Sequence, residues 1–163
     1  SKNKGIKLFT STFRRGAPDY LDPKLNCHSK LHEVQALIQA IEAGADEALM
    51  LDVNGFVSTC NATNFFIIKN NEVWTSTGDY CMNGITRSKV IEACQKNNIV
   101  CHQKNFSLYD TYSADEAFVT GTFGGLTPVT LIDGKQIGNN NSREFTTKLS
   151  RLYESLINEN IDG

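Results

Sequence analysis

The stretch NFFIIKNNEVWT, Asn64 to Thr75, decides the fold class. Two apolar runs of strand length flank the Asn70-Asn71 pair, and asparagine tolerates the left-handed backbone that a tight hairpin turn demands. The stretch therefore reads as a β-hairpin, and working outward gives more strands. Upstream, Glu47 to Leu51 is a strand and Val53-Asn54-Gly55-Phe56 a strong hairpin turn. Residues 5–13 open the chain as a further strand, with no obvious partner before it. Downstream, Ile99 to Gln103, Glu116 to Thr120 and Thr127 to Ile132 read as strands, and Asp133-Gly134 as a turn.

Helical spacing interrupts these strands. Pro18 to Pro23 reads as a turn region leading into a short extended piece, after which Ser29 caps a helix through about Ala43. Leu31, Val34, Leu37, Ile38 and Ile41 fall on one face of that helix, and Gly44 ends it. Arg87 to Asn97 carries Val90, Ile91 and Cys94 on one face. Ser107 to Tyr112 is a single turn in which Ser107 and Asp110 have capping spacing. Ser142 to Ile157 places Phe145, Leu149, Leu152 and Leu156 inward. The expectation is one α+β domain, residues 1–163, on a largely antiparallel sheet.

The bulk numbers remove several function classes. A chain of 163 residues with 40% hydrophobic and 21% charged residues is an ordinary globular domain, not a disordered segment. A net charge of -2 gives no electrostatic reason to expect nucleic acid or an anionic membrane. No apolar run approaches the roughly 18 residues that a membrane helix needs. The first residues lack the apolar stretch of a secretory signal. Five cysteines, an odd number without framework spacing, read as reduced thiols in the cytoplasm.

Two turns could hold an anion. Gly84-Ile85-Thr86-Arg87 lies where a loop enters a helix, and the unpaired N–H groups of a helix start attract phosphate. Gly84 lets the backbone approach and Thr86 adds a hydroxyl, although threonine there also serves as a plain cap. Thr120-Gly121-Thr122-Phe123-Gly124-Gly125 follows a hydrophobic strand and offers two hydroxyls on a glycine-permitted turn, the plain loop being its alternative. Cys27, His28 and His32 have no second Cys or His pair at structural zinc spacing, so no metal is expected. Lys24 and Lys30 flank the start of the first helix, and a buried, neutral lysine amine could form an imine.

In order along the chain these pieces resemble the class IV aminotransferases, the family of branched-chain and D-amino-acid aminotransferases. The resemblance runs through Arg14-Arg15, Leu21-Asp22-Pro23, Glu42 to Leu49, Leu51 to Val57 and Asn64-Phe65-Phe66. It continues through Gly84 to Arg87, Ala114-Asp115-Glu116, Thr120-Gly121-Thr122, Thr127-Pro128-Val129 and Ile132-Asp133-Gly134. It implies the barrel-like large domain of fold-type IV enzymes, a homodimer, pyridoxal 5'-phosphate as cofactor, and an amino acid and a 2-oxo acid as substrates. Ile85 and Thr86 would hold the cofactor phosphate with Thr122, and the Thr122 and Phe123 amides would face the substrate carboxylate.

Three departures bear on the reaction. Asn26 stands where the family has its imine lysine, so Lys30, or less directly Lys24, would have to take that role. Thr59 stands where the family has the glutamate that pairs with the pyridine nitrogen. The family's small N-terminal domain has no counterpart in these 163 residues. The implied activity is amino transfer through a lysine imine. The alternatives are a lyase or racemase of the same fold, and an inactive binding or dimerisation domain.

Overall fold

Asn70 and Asn71 take φ of 52° and 63°, the two consecutive left-handed residues of a type I′ turn. In the computed structural model they join β4 (Asn64–Lys69) to β5 (Glu72–Thr75), antiparallel with Phe66 opposite Thr75. The structure describes residues 5–15, 23–78, 84–121, 125–139 and 143–162, with side chains at all of these except 23–30 and 160–162. Asp133 and Gly134, at φ 54° and 77°, make the same kind of turn between β8 (Leu126–Ile132) and β9 (Lys135–Gln136).

The remaining strands are β1 (Ile6–Thr10), β2 (Glu47–Leu51), β3 (Val57–Cys60), β6 (Cys101–Gln103) and β7 (Glu116–Thr120). They form one sheet in the order β3-β2-β1-β8-β7-β4-β5-β6, with β9 beside β8. Antiparallel pairing dominates, as expected, but β1 runs parallel to both neighbours, β2 and β8, and β6 runs parallel to β5. Sequence offers no signal for β1's position, because its partners lie some 40 and 120 residues away: Leu8 pairs with Glu47 and with Ile132.

Both sheet faces are buried at β4, which explains its continuous apolar run. Phe65 and Ile67 join Leu8, Leu49, Leu51, Val57, Val119 and Ile132 in one cluster. Phe66 and Ile68 point the other way, onto α2 (Ile85–Lys96) and α4 (Glu144–Asp162), through Val90, Cys94, Leu149 and Leu156. Phe66 stacks on Phe118 of β7, directly opposite in register, with centroids 4.8 Å apart. Each such buried side chain contributes about 1.5–3 kcal/mol. The short helix α3 (Leu108–Tyr112) carries the expected capping box, Ser107 and Asp110 bonding each other's backbone N–H. The last helix runs further than expected and packs inward through Leu149 and Leu156, with Leu152 half-buried.

The first helix, α1 (Pro23–Glu42), departs most from the sequence reading. It begins at Pro23, well before Ser29, so Lys24 and Asn26 are helical rather than extended. Proline at the first helical position has its φ preset and loses no hydrogen bond, and nothing after it breaks the helix. The expected apolar face also points outward: Leu31, Val34, Ile38 and Ile41 are 52%, 55%, 51% and 60% exposed. Ala36 and Ala40 are the residues that bury, against Ala48 and Met50 of β2, because small side chains let the helix lie close to the strand.

Candidate active site

Strands β3, β4 and β7 end at the first turn of α2, and a cavity of about 240 Å³ opens there. Its described lining is Arg15, Thr59, Cys60, Ala62, Thr63, Asn64, Gly84, Ile85, Thr86, Thr120 and Gly121. The structure thus brings together Thr59, Gly84, Ile85, Thr86 and Gly121, five positions nominated from the sequence. Thr122 and Phe123 lie outside the described residues. Lys24 and Lys30 are described only as backbone of α1.

Register explains how the sheet assembles this cavity. Asn64 opens β4 directly opposite Thr120, which closes β7. The chain reverses between β3 and β4 in a tight turn, Cys60 N donating to Thr63 O at 2.9 Å. Asn61 ties that turn to β2, its side-chain oxygen accepting from Ala48 N at 2.8 Å. The Thr59 hydroxyl donates to Thr63 O at 2.6 Å. Thr63 in turn donates its own hydroxyl to Glu47 Oε1 at 3.0 Å.

The start of α2 lies at this cavity, with Gly84, Ile85 and Thr86 in its lining. Gly84 is its N-cap and supplies no side-chain cap, so the plain-cap alternative for Thr86 does not hold. The first N–H groups of a helix have no partner inside it and carry partial positive charge. Arg87 is buried and fixes this turn in place, donating to Ser76 O at 2.6 Å. Both glycines are tight: a Cβ on Gly84 would meet Asn64 Nδ2 at 2.8 Å, and one on Gly121 would meet Thr63 Cγ2 at 2.6 Å.

Two buried polar atoms at the cavity lack any partner, Thr120 Oγ1 and Arg15 Nε. A buried unsatisfied donor costs about 1–3 kcal/mol, which a bound polar group would recover. Arg15 shows in the sequence only through its adjacency to Arg14 and its place in the family resemblance, neither of which marks it as a site residue. Its peptide N–H donates to Leu51 O, extending the sheet past β1, and its Nη2 lies 2.6 Å from Glu33 Oε1 on α1. Burial pushes the Cys60 thiol well above its ordinary pKa, helped by the Glu47 charge, so Cys60 is no nucleophile here.

The Arg15–Glu33 contact ties α1 to a residue of the cavity lining. At about 100° per residue, positions 26, 30 and 33 share one side of the helix, whereas position 24 stands about 180° from Glu33. Asn26 and Lys30 are therefore on the Glu33 side, and Lys24 is on the opposite side. Lys24 and Asn26 thus belong to the helix and not to the short extended piece expected before it. A wider, open cleft of about 580 Å³ lies elsewhere, lined by Asn97, Asn98, Glu116 and Lys148 among others. It contains none of the nominated residues, and its Glu116 carboxylate is occupied by the N–H groups of Phe145 and Thr146, both at 2.9 Å.

Residues 1–132 match the family described as amino-transferase class IV. A branched-chain-amino-acid aminotransferase-like protein of Arabidopsis thaliana is 42% identical over 93% of this chain, which covers 27% of that protein. A branched-chain-amino-acid aminotransferase of Pseudomonas aeruginosa is 35% identical over 94% of this chain and 50% of its own length. The chain thus spans from about a quarter to half of these relatives. Among solved structures, an aminotransferase from Brucella abortus bound to the cofactor PLP superimposes with a TM-score of 0.81 and 27% identity, over 93% of this chain and 54% of its own. The branched-chain aminotransferase of the archaeon Thermoproteus uzoniensis, solved with norvaline, superimposes with a TM-score of 0.80. It is 28% identical over 94% of this chain and 51% of its own.

Proposed function

Because the chain belongs to the class IV aminotransferase family, we propose that it holds pyridoxal phosphate in this cavity and transfers an amino group from an amino acid to a 2-oxo acid. The observation that carries the reading is the uncapped start of α2 facing the buried, unpartnered Thr120 hydroxyl across one cavity. In this reading the N–H groups at Ile85 and Thr86, the Thr86 hydroxyl and the Gly121-Thr122 turn hold the phosphate. Gly84 and Gly121 let Asn64 and Thr63 pack directly against the two turns, with no room for a Cβ. The amides at Thr122 and Phe123 orient the substrate carboxylate.

Bound pyridoxal phosphate supplies the electron sink that makes an amino acid's α-proton removable. The chain's part is to position, exclude water and move that proton. Lys30 is the residue we assign to carrying the cofactor covalently and to shuttling the proton. Support comes from its place on the Glu33 side of α1, three residues from the carboxylate that pairs with Arg15, itself a lining residue. Lys24, on the far side, is set aside. In this reading Thr59 is the lining residue beside the ring, and its hydroxyl, already donating to Thr63 O, can accept but not donate.

We assign residues 1–163 to one cofactor-holding domain that works as a homodimer in the cytoplasm. The exposed stripe Leu31, Val34, Ile38 and Ile41 is a surface that association would cover. Free thiols at Cys60, Cys94 and Cys101 suit a reducing compartment. The test is to incubate the full-length protein with pyridoxal phosphate, 2-oxoglutarate and a panel of amino acids, beginning with leucine, isoleucine and valine. Stoichiometric appearance of 2-oxo acid and glutamate without ammonia is expected. Ammonia release in place of glutamate would favour the lyase reading, and no uptake of cofactor would favour an inactive domain.

A further inference from the structure

We infer that Arg15 donates its Nε–H to the pyridine nitrogen of the bound cofactor, so that this nitrogen is held unprotonated. The inference rests on the proposed function: with the phosphate between the Gly84–Thr86 turn and Thr120-Gly121, we take the ring to lie toward Arg15 and Thr59, which line the same cavity. Three observations single out Arg15. Its Nε is buried without a partner, while Nη2 is fixed on Glu33 at 2.6 Å, so the guanidinium cannot turn away to satisfy itself. The one proton of the Thr59 hydroxyl is committed to Thr63 O at 2.6 Å, leaving Thr59 nothing to donate. Among the described residues, no carboxylate lines the cavity that could hold a protonated nitrogen.

The two nearby acids are both occupied elsewhere. Glu33 faces Nη2, away from the unpartnered Nε edge. Glu47 accepts from Thr63 and lies outside the lining, and burial pushes its pKa up, toward the neutral form. The charge closest to the ring is therefore a guanidinium. A guanidinium opposes a second positive charge beside it and favours the unprotonated base. The consequence is a weaker electron sink than a pyridinium provides, which makes proton removal from the substrate depend more on the chain's own base.

The test loads full-length protein with pyridoxal phosphate labelled with ¹⁵N in the ring and reads the nitrogen's chemical shift across the neutral pH range. The wild type is expected to show the unprotonated shift throughout. Arg15→Met with Glu33→Leu removes donor and counter-ion together, since an apolar pair replaces a buried ion pair with little loss of stability. That variant should show protonation as pH falls and bind the cofactor about tenfold more weakly, the loss of one charge-assisted hydrogen bond. Competition by inorganic phosphate, which reports on the opposite end, should not change. Arg15→Lys, which keeps the charge, should hold the nitrogen unprotonated.

A protonated nitrogen in the loaded wild type, or an unchanged shift in the double variant, would overturn the inference while leaving the proposed function standing. Failure of the wild type to take up cofactor would overturn both.

Discussion

Arg15 Nη2 lies 2.6 Å from Glu33 Oε1, and that contact ties α1 to a residue that lines the cavity. The two side chains are 11% and 18% exposed, so neither charge is well solvated. Glu33→Ala should therefore cost on the order of 3 kcal/mol, because it strands a mostly buried guanidinium. Replacing both partners with apolar residues should restore most of that loss. Urea unfolding of the two variants checks this; equal destabilisation by both would show that the pair contributes through packing alone.

The two cavity glycines should differ in tolerance. Neither has a positive φ, so space and not backbone decides the outcome. On Gly84 a methyl meets the end of the Asn64 side chain, which can swing aside, whereas on Gly121 it meets Thr63 Cγ2 at 2.6 Å, on a β-branched side chain held by its bond to Glu47. Gly121→Ala should destabilise by about 1–3 kcal/mol, with a smaller effect for Gly84→Ala. Thermal melts of the cofactor-free variants would show the ordering.

Thr86→Val keeps the shape of the first turn of α2 and removes only the hydroxyl. Affinity for pyridoxal phosphate should fall about tenfold, the worth of a hydrogen bond to a charged group. Affinity for pyridoxal, which lacks the phosphate, should not move. A parallel loss for both ligands, read by absorbance titration, would remove Thr86 from the phosphate site.

Much of this arrangement was legible in the sequence, because local chemistry writes it there. Asn70-Asn71 and Asp133-Gly134 announce turns that need left-handed residues, and Ser107 with Asp110 announces a cap. The loop-to-helix glycine at Gly84 announces the start of α2. What could not be read depends on distant partners. The parallel place of β1 follows from pairing with strands far along the chain. The outward stripe on α1 misleads because apolar spacing shows a face without saying what it meets; Ala36 and Ala40, less apolar, are the ones that bury. Arg15 and Glu33 became a site feature only once the sheet and helix were placed together.

Glu47 gives a pH dependence with a defined sign. Burial, the dominant cause, raises its folded pKa above 4.5, partly offset by the Thr63 hydrogen bond. A raised folded pKa contributes stability that is present below 4.5 and lost as pH rises through the folded value. Glu47→Gln keeps an oxygen for Thr63 and removes the desolvated charge. Its melting temperature should exceed the wild type's at neutral pH, and the difference should vanish in acid. A variant less stable at neutral pH would mean that the carboxylate is stabilising as charged.

The most direct measurement of the central claim is to reduce the pyridoxal-phosphate-loaded, full-length protein with borohydride and map the modified peptide by mass spectrometry. The account predicts one phosphopyridoxyl group, on Lys30, absent from Lys30→Ala and unchanged in Lys24→Ala. Attachment at Lys24, at another lysine, or undiminished in Lys30→Ala would contradict it.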